Sequence, residues 1–375
     1  MYLRVMPQSN KPIRVAILGI RGIPNRHGGF EQMTEYVAPG LVALGFDVTV
    51  YQSSLHDYQE PEFQGVKLIH CTDPEDKLGT FGQFIYDWNC LRDARKRNFD
   101  VLIQLGYTSS SIWGWFHPRN IPVLWNMDGL EWKRDKYSKP VKQLLYWAEG
   151  WAARRADHLI ADSPAIASHL FTQYNRTSTF IAYGAEPDER EDPAYLEPYQ
   201  VQPREYYMLM ARMEPENSIE TIVRGYLDSG DQRPLLVVGK MTTPHAKVWE
   251  EKFRDPRVRF LGGIYDQDVV HQLRRQARAY FHGHTVGGTN PSLLEAMASG
   301  AWIIAHKNPF NQAILRENAN YFTSATDIAE VIRKLNPEMR PSMTKANVDI
   351  IKSQFLHQHI IQAYADLIRQ WARQS

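Results

Sequence analysis

The chain has 375 residues, of which 43% are hydrophobic and 23% charged, and its net charge is +1. This length predicts two domains, each large enough to bury its own core, and the balanced charge excludes a strong general attraction to nucleic acid. The two cysteines, Cys71 and Cys90, are too few for a disulfide framework and are typical of a reducing compartment.

The N-terminal segment MYLRVMPQSNKPIR is too polar to contain the apolar part of a secretory signal. No stretch of the sequence reaches the roughly 18 uninterrupted apolar residues that a membrane-spanning helix needs. We therefore expect a cytoplasmic protein, or one that touches the inner face of the plasma membrane only peripherally.

The chain begins with the pattern of a doubly wound α/β domain. The predicted elements are a strand over 13–19, an amphipathic helix over 30–44 and a strand over 46–51, which make a βαβ unit. The glycines between them lack the G-x-G-x-x-G spacing of dinucleotide-binding enzymes, so a dehydrogenase is disfavoured. Gly28 and Gly29, directly before the helix, would let the backbone approach a ligand closely, or they are an ordinary loop pair.

The alternation of strands and helices continues through the first half of the chain. Further strands are predicted at 66–70, 100–105, 121–126, 158–161 and 179–182, and helices at 81–97 and 141–157. Ligands of open α/β sheets bind at the carboxyl ends of strands, where Asp128, Asp162 and Tyr183 fall. Each also has a simpler interpretation: Asp128 forms a turn, Asp162 or Ser163 caps a helix, and Tyr183 packs.

The stretch from Arg92 to Arg155 combines positive charge with aromatic residues. It contains twelve Lys or Arg against six Asp or Glu. This composition fits an anionic membrane surface or a lipid-phosphate acceptor, or else a solvated basic face over core aromatics. In the helix predicted at 141–157, we place Trp147 and Trp151 with the alanines on the apolar face.

A linker separates the first α/β series from a second one. Residues 186–203 are acidic and rich in proline, without periodicity. Beyond them, strands are predicted at 206–211, 234–239, 258–261, 279–283 and 301–306, and helices at 219–227, 266–278, 292–299, 327–335 and 343–374. Two such domains leave a cleft between them, which is the place for a ligand.

The run HGHTVGGTNPSLLEAMASG, from His282 to Gly300, carries the most chemical information. A strand leads through a turn-rich segment into a helix that Asn290 or Ser292 caps, with Pro291 in its first turn. Free N–H groups and the helix dipole at such a start attract a phosphate. Glu295, one turn further, accepts hydrogen bonds from a sugar next to that phosphate, or it reaches back to its own helix start in a capping box.

Metal-binding patterns are weak in this sequence. Asp266-Gln267-Asp268 has the D-x-D form of some metal sites, but it precedes a helix, where capping explains it better. The histidines have no further ligands at useful spacing; they are His282, His284, His357 and His359. We expect neither a metal nor another cofactor.

Several motifs, taken together, resemble one enzyme family. They are ILGIRGIPNRHGGFE, WNMDGLEWKR, IADSPAI, AYGAE, ARMEPENSIE and VGGTNPSLLEAMASG, and they extend nearly from end to end. The chain is similar to the retaining, nucleotide-sugar-dependent family-4 glycosyltransferases. Within that family it resembles the bacterial rhamnosyltransferases of cell-wall and capsular polysaccharide synthesis.

The resemblance implies a GT-B fold, in which two Rossmann-like doubly wound α/β domains face each other across a cleft. The first domain, residues 1–195, would take the acceptor, and the second, residues 196–350, the nucleotide sugar. Residues 351–375 would form a C-terminal helix that crosses back and packs on the first domain.

The resemblance also assigns residues to the donor. Arg212 would pair with the diphosphate and stabilise its developing charge, and Glu295 would hold the ribose or deoxyribose. Gly28 and Gly29 would let the first domain close over the phosphates. The segment from strand to helix would offer backbone N–H groups to the diphosphate; its residues are Thr289, Asn290, Pro291 and Ser292.

Two positions depart from the family pattern. Gly287 stands where many members have a glutamate that touches the donor sugar, which fits a sugar with other hydroxyls, such as 6-deoxy rhamnose. Asn217 stands where members have a lysine beside the diphosphate. Lys240, after the next strand, is a candidate substitute for that lysine.

The implied reaction is retaining transfer of a sugar, expected to be rhamnose from dTDP-rhamnose, to a glycan or lipid-diphosphate-linked acceptor. The nucleotide of the donor would be dTDP or UDP. Asp128, Asp162 and Tyr183 are candidates for catalysis beside Arg212, and no protein nucleophile is required. Glu131 and Trp132 are candidates for holding the acceptor. The alternatives are a nucleotide-sugar 2-epimerase of the same architecture and a non-catalytic nucleotide-sugar-binding protein.

Overall fold

A computed structural model describes residues 11–26, 28–127, 129–134 and 137–372. In this part of the chain the strands form two separate sheets, one of eight strands and one of six. The predicted α/β architecture of two Rossmann-like domains is thereby confirmed.

The first sheet has the order β3-β4-β2-β1-β5-β6-β7-β8. Its strands are β1 (Arg14–Leu18), β2 (Asp47–Ser53), β3 (Glu62–Phe63), β4 (Val66–Cys71), β5 (Val101–Leu105), β6 (Val123–Asn126), β7 (His158–Ala161) and β8 (Ser178–Phe180). The helices around it are α1 (Gly29–Ala43), α2 (Glu75–Leu78), α3 (Phe81–Ala94), α4 (Lys139–Arg155) and α5 (Pro164–Tyr174). All its pairings are parallel except β3 with β4. Helices on both faces bury such a sheet, and this explains the continuous apolar strand sequences.

The second sheet is wholly parallel, with the order β11-β10-β9-β12-β13-β14. Its strands are β9 (Tyr207–Met210), β10 (Leu235–Val238), β11 (Val258–Gly262), β12 (Ala279–His282), β13 (Ile303–His306) and β14 (Asn320–Phe322). The helices that follow β8 are α6 (Ile219–Ser229), α7 (Pro244–Lys252), α8 (Gln267–Gln276), α9 (Pro291–Ala298), α10 (Pro309–Leu315), α11 (Ala325–Lys334), α12 (Arg340–Ile350) and α13 (His357–Ala372). The sheets end at β8 and begin again at β9, on either side of the expected domain boundary. The exact boundaries stay a prediction.

The long helix predicted over 343–374 is wrong as a single element. It is interrupted after α12 by a π-helical turn over 351–355 and by Leu356, which is extended at φ −62° and ψ 146°. The break redirects the chain so that α13 packs on α1 of the first domain. There the Asn126 side chain donates to the Tyr364 hydroxyl at 3.0 Å, which confirms the helix that crosses back.

The apolar face assigned to the predicted helix 141–157 is also wrong in part. In α4 the buried side carries Leu145, Ala148 and Ala152, whereas Trp147 is 53% and Trp151 41% exposed. Small alanines let α4 approach its neighbours closely, and the large rings are left on the outside. No helix in the described part of the chain is long and apolar enough to cross a membrane.

Candidate active site

The run from β12 to α9 forms the floor of the candidate site. Asn290 is the N-cap of α9, where its side chain accepts the Ser292 N–H at 2.9 Å, and Pro291 occupies the first turn. The next two N–H groups, of Leu293 and Leu294, donate to the Asn290 carbonyl at 3.0 and 3.2 Å. The helix start is therefore capped from within. A phosphate bound there would be stabilised by the helix dipole. It could also accept the Ser292 N–H, provided that the Asn290 side chain turned away from that group.

Glu295 does not form the capping box with its own helix start. Its carboxylate instead accepts a hydrogen bond from Arg274 on α8 at 2.6 Å. Burial alone would raise the pKa of the Glu295 carboxyl, but Arg274 and Gln32 hold that pKa below its ordinary value. Glu295 is thus a fixed anion that can accept hydrogen bonds from ligand hydroxyl groups.

Arg274 links two of the donor-binding candidates of α9, Ser292 and Glu295. None of its side chain is exposed. Besides Glu295, it donates to the Ser292 hydroxyl at 3.0 Å, and the Tyr280 hydroxyl lies 3.1 Å from the same oxygen. Burial by itself would lower the pKa of Arg274, but Glu295 raises it above the usual value, so the guanidinium stays charged. Arg274 therefore orients both side chains that line the helix start.

Gln32 on α1 reaches the same carboxylate from the first domain, since its amide donates to Glu295. Sequence reasoning missed both Gln32 and Arg274. They lie inside helices, 263 and 21 residues from Glu295, and no local motif marks them. The sequence offered one weak signal in α8, where Arg274 falls on the same side of the helix as Val270 and Leu273.

Arg212 follows β9 and its side chain is exposed. Its carbonyl accepts hydrogen bonds from the Glu214 N–H at 2.7 Å and the Asn217 side chain at 2.8 Å, which fix the turn after the strand. In the described part of the chain the guanidinium itself has no hydrogen-bond or ion-pair partner. Asn217, where a lysine was expected by analogy, is 3% exposed and supports the Arg212 backbone.

A pair of histidines lies near Arg212 at the end of β12, whose last residue is His282. The rings of His282 and His284 are stacked with centroids 4.4 Å apart. Burial, together with the charges of Arg212 and Arg134, lowers the pKa of His284 to about 3. Burial and the neighbouring cations also lower the pKa of His282 well below its ordinary value. Both imidazoles are therefore neutral, and the positive charge beside them belongs to the arginines.

Lys240 stands at the position equivalent to Arg212 on the neighbouring strand, because Val238 of β10 pairs with Met210 of β9. Its side chain is exposed, and within the described residues it has no ion-pair partner. It is thus free to turn toward an anion beside Arg212, as its predicted role requires.

The glycine loop of the first domain lies against the start of α9. A Cβ placed on Gly29 would be 3.3 Å from Pro291 and 3.5 Å from the ring of Tyr183. Gly28 is the N-cap residue of α1. Tyr183 is 6% exposed and packs near Phe30, with ring centroids 6.2 Å apart. The loop therefore approaches the site as closely as its glycines permit.

The two domains also meet at the loop before Thr289. A Cβ on Gly288 would lie 1.7 Å from a carboxylate oxygen of Asp162, and the Thr289 hydroxyl donates to the Asp162 carbonyl at 2.5 Å. A Cβ on Gly129 would lie 2.7 Å from the Cα of Gly287. Ser163, not Asp162, caps α5, so the Asp162 carboxylate remains beside the donor loop. Asp128 lies outside the described residues.

Glu131 faces the cleft but is already paired. Its carboxylate accepts from Arg134 at 2.6 Å, and Arg134 is also 3.7 Å from Glu216 of the second domain. The backbone carbonyl of Glu216 accepts both the N–H and the hydroxyl of Thr285, at 3.0 and 2.9 Å. This chain of contacts ties the first domain to the loop that leads to α9.

The indole ring of Trp132, the other acceptor candidate, is positioned by a hydrogen bond to a buried carboxylate. Its indole N–H donates to Glu149 at 3.0 Å. Glu149 is 1% exposed and has further partners in His169 at 2.7 Å and Tyr174 at 2.8 Å. The Lys133 ammonium lies 5.2 Å from the centre of the Trp132 ring, and the Tyr146 ring meets it edge-on with centroids 5.4 Å apart. A sugar would contact the part of the ring that these neighbours leave open.

The D-x-D pattern has the capping role that its position predicts. Asp266 accepts the N–H groups of Asp268 and Val269 at 3.0 and 3.2 Å, and Asp268 pairs with Arg190 at 3.0 Å. The described residues contain no group of three or more His, Cys, Asp or Glu side chains arranged to hold a metal ion.

A surface cavity of about 350 Å³ lies away from this constellation, at the amino-terminal ends of β1 and β2. Its charged groups neutralise one another: Arg14 pairs with Asp100 at 2.9 Å and Lys67 with Asp47 at 2.7 Å. Because its charged side chains are paired and none of the predicted site residues line it, we assign the candidate site to the cleft instead.

Two family models match the chain, one in each half. Residues 13–186 match a domain of unknown function (DUF1972). Residues 199–347 match the model described as glycosyl transferases group 1. The search of curated protein sequences gave no match.

Solved structures of similar fold cover the chain almost completely. Sucrose-phosphate synthase from Thermosynechococcus elongatus has a TM-score of 0.80 at 18% identity and covers 97% of this chain and 100% of its own. Alr3699/HepE from Anabaena, solved with UDP and glucose, has a TM-score of 0.74 at 15% identity, with coverage of 96% and 100%. An α,α-trehalose 6-phosphate synthase from Burkholderia multivorans has a TM-score of 0.72 at 10% identity, with coverage of 97% and 98%. At these identities the likeness establishes the fold, two Rossmann-like domains in the GT-B arrangement.

Proposed function

We propose that this glycosyltransferase of GT-B fold transfers rhamnose from dTDP-rhamnose, with retention, to a glycan or lipid-diphosphate-linked acceptor in polysaccharide synthesis. The activity class rests on the group 1 glycosyl transferase domain at residues 199–347. The observation that carries the donor site is the arrangement around α9. There a fixed Glu295 carboxylate lies one turn beyond a helix start, and a nearby strand end presents the guanidinium of Arg212, which has no ion-pair partner among the described residues.

The chemistry requires positive charge where the diphosphate departs. As the glycosidic bond breaks, negative charge grows on the leaving phosphate oxygens, and preorganised cations and dipoles stabilise it. Arg212 supplies the cation, α9 supplies its N-terminal dipole, and Lys240 is placed to add a second charge. Because His284 is neutral, it does not add a second positive charge that would repel the Arg212 guanidinium.

Retention then proceeds by attack on the same face from which the diphosphate leaves. A donor phosphate oxygen takes the proton of the acceptor hydroxyl, so no protein nucleophile takes part. The Asp162 carboxylate and Tyr183, on the first-domain side of the α9 loop, position the reacting groups. The contacts of that loop with Gly29 and Gly129 would exclude water from the closed site.

The choice of sugar rests on Gly287. Its φ of +123° is a conformation that side-chain-bearing residues rarely adopt, and open space lies where a Cβ would project. Position 287 therefore supplies no carboxylate to the sugar and offers instead a small, open surface. A 6-deoxy sugar such as rhamnose, with one hydroxyl fewer to satisfy, suits that surface.

The donor base and the acceptor are proposed by analogy. Alr3699/HepE was solved with UDP-glucose, and a thymidine nucleotide carries the same diphosphate for Arg212 and α9 to bind. On the acceptor side, Glu131 accepts hydroxyl hydrogen bonds at the cleft edge, and the ring of Trp132 supplies a stacking face. A lipid-diphosphate carrier would bring the acceptor sugar to this edge from the inner face of the plasma membrane.

The decisive experiment is a panel of dTDP- and UDP-sugars with a synthetic lipid-diphosphate-linked acceptor. The readouts are released nucleoside diphosphate and the anomeric linkage of the product. We expect turnover only with acceptor present, a retained anomeric configuration and a preference for dTDP-rhamnose. The matched control is Arg212→Ala, which should bind acceptor but release nucleoside diphosphate about 10²–10³ times more slowly.

Other outcomes would assign another function. Conversion of the free nucleotide sugar without any acceptor would identify a 2-epimerase. Donor binding without release of nucleoside diphosphate, with every acceptor tried, would identify a binding protein. Turnover that prefers a UDP-hexose would keep the transferase and overturn the rhamnose donor.

A further inference from the structure

The outer face of α4 exposes large apolar side chains at helical spacing. Leu144 is 41%, Trp147 53% and Trp151 41% exposed, and they follow one another at intervals of three and four residues on one side of the helix. The opposite side of α4 is buried in the first domain, so this stripe is a second apolar face without a partner in the described chain. Exposed apolar patches of this kind mark interaction surfaces.

The turn that holds Trp115 packs against α4. A Cβ on Gly114 would lie 3.2 Å from Arg155, so the end of α4 and this turn are in contact. Trp115, the next residue, is 60% exposed. Phe116 then packs on Trp88 of α3, with ring centroids 4.3 Å apart. We call the surface made by Trp115, Leu144, Trp147, Trp151, Arg154 and Arg155 the α4 face.

The distribution of tryptophan singles out this face. The sequence has ten tryptophans. In the part of the chain that the structure describes, the ones classed as exposed are Trp115, Trp147 and Trp151, all on the α4 face. Isolated exposed apolar residues elsewhere need no explanation, but three such large rings together do.

The exposed charges of the α4 face are all positive. The charged residues of α4 are Lys139, Lys142, Glu149, Arg154 and Arg155. The single acid, Glu149, is 1% exposed, and its carboxylate accepts hydrogen bonds inside the domain. Lys139, Arg154 and Arg155 lie at exposed positions. Nearby, the Arg95 guanidinium lies 4.1 Å from the centre of the Phe116 ring.

We infer that the α4 face docks on an anionic lipid bilayer. Tryptophan and leucine insert at the level between headgroups and acyl chains, and arginine and lysine beside them pair with lipid phosphates. Protein interfaces are also rich in tryptophan and arginine, so the choice of occupant rests on charge. The exposed charges of this face are of one sign, which is the complement of a negatively charged membrane.

The inference deepens the proposed function, because it gives a reason for an acceptor on a lipid carrier, but it is tested without any sugar. α4 follows the segment that holds Glu131 and Trp132, and Trp132 is bonded to Glu149 of α4. A bilayer against the outer side of α4 would thus hold a lipid-linked acceptor close to the cleft edge.

The first experiment measures partition of the whole chain into phosphatidylcholine vesicles with and without phosphatidylglycerol. We expect binding to the anionic vesicles, a blue shift of tryptophan fluorescence, and release by salt. Trp147→Ser with Trp151→Ser should weaken binding at least tenfold and remove the blue shift. Arg154→Gln with Arg155→Gln should weaken it by about fivefold for each charge removed, on anionic vesicles only.

The matched controls are on α7 of the second domain. Val248 is 57% exposed and Lys247 is exposed beside it. Val248→Ser and Lys247→Gln should bind vesicles as the unmodified chain does. Wild-type protein that ignores anionic vesicles at low salt would overturn the inference. So would tryptophan variants that bind undiminished, or variants that convert a dimer to a monomer in sedimentation while no form binds lipid.

A second measurement separates this inference from the proposed function. The same variants are assayed with a water-soluble acceptor, on which the α4 face should have no effect, and with a lipid-linked acceptor in vesicles, on which turnover should fall with vesicle binding. Vesicle binding without sugar transfer to any acceptor would leave the α4 face standing and overturn the transferase. Sugar transfer without vesicle binding would support the transferase and overturn the membrane-docking role of the α4 face.

Discussion

Arg274 donates a 2.6 Å hydrogen bond to the Glu295 carboxylate from a position where none of its side chain reaches solvent. The pair is buried in the floor of the proposed donor site, and Arg274 holds Ser292 as well. Removing the carboxylate would leave a buried cation without its partner. The stability and the activity of variants at Glu295 are therefore coupled through Arg274.

Glu295→Ala is expected to lose both transfer and stability, the latter by roughly 3–5 kcal/mol, because a buried charge is left unpaired. The cleaner variant is Glu295→Gln, which keeps a hydrogen-bond acceptor for Arg274 but removes the anion. We expect it to fold, to bind donor weakly and to lose most of its turnover. Thermal unfolding and donor titration on the same samples measure the two effects separately.

The control for that prediction is the double variant Glu295→Gln with Arg274→Met, in which no charge remains to be compensated. It should recover stability relative to Glu295→Ala without recovering transfer. A Glu295→Ala protein with full activity and full stability would show that the carboxylate serves neither the donor nor the ion pair.

Arg212→Ala tests the diphosphate cation in a setting where folding is not at risk, since the side chain is exposed and unpaired within the described chain. Loss of one group that stabilises developing charge costs roughly 3–4 kcal/mol of barrier, or about 10²–10³ in turnover. Arg212→Lys should restore only part of the rate, because lysine lacks the fork of donors. Turnover of Arg212→Ala within tenfold of wild type, at saturating donor, would remove the residue from the mechanism.

The positions of most strands along the chain were predictable because buried parallel strands appear as short apolar runs between turn residues. The predicted strands 100–105 and 158–161 lie within one residue of β5 and β7. Helices α7 and α10 escaped prediction since each is short and buries few residues; α7 buries only Ala246 and Trp249. The N-cap and proline pairs Thr243-Pro244 and Asn308-Pro309 were the signal that would have found them.

Some residues of the candidate site could likewise be predicted from the sequence and others could not. Glu295 was identifiable because it lies one turn beyond a predicted helix start, and Arg212 because the resemblance to a family assigns it to the diphosphate. Gln32 and Arg274 were not, because their importance comes from tertiary packing on Glu295. In α4, hydrophobicity alone could not tell which of two apolar stripes is buried. The helix buried its alanines and exposed Trp147 and Trp151, since small residues allow closer packing.

Lys240 is predicted to be the second cation at the diphosphate, in place of the lysine that Asn217 replaces. Lys240→Ala should weaken donor binding about tenfold while leaving thermal stability unchanged, because the side chain is exposed and unpaired among the described residues. The matched control is Lys247→Ala on α7, also an exposed lysine. Equal donor affinity and turnover in both variants would end the role proposed for Lys240.

Activity is expected to be independent of divalent metal. The carboxylates of the D-x-D pattern are used in the fold, since Asp266 caps α8 and Asp268 pairs with Arg190. Charge neutralisation at the diphosphate is assigned to Arg212, Lys240 and the α9 dipole. Turnover in excess chelator should match turnover in Mg²⁺. A loss in chelator that Mg²⁺ restores would mean that a metal carries part of the charge.

His282 should make stability fall as the pH is lowered below neutrality. Its side chain is fully buried, and burial, with His284, Arg274 and His306, lowers its pKa well below the ordinary value of 6.5. Above pH 6.5 the imidazole is neutral in both states, so its titration does not affect unfolding. Below pH 6.5 the unfolded chain takes up a proton that the folded chain refuses, and the free energy of unfolding falls by about 1.4 kcal/mol per pH unit.

His282→Leu removes this titration while preserving an apolar environment for the neighbouring strand. Neither ring nitrogen of His282 has a hydrogen-bond partner among the described residues, so no bond is lost in the exchange. We expect the variant to be at least as stable as wild type at pH 7.5, and its urea midpoint to decline less steeply between pH 6.5 and 5. His245→Leu, on α7 of the same domain, is the control and should leave the slope unchanged, since that ring is exposed to solvent rather than buried. A wild-type midpoint that stays constant over this interval, or an equal slope in His282→Leu, would show that the buried imidazole is not the group that couples folding to pH.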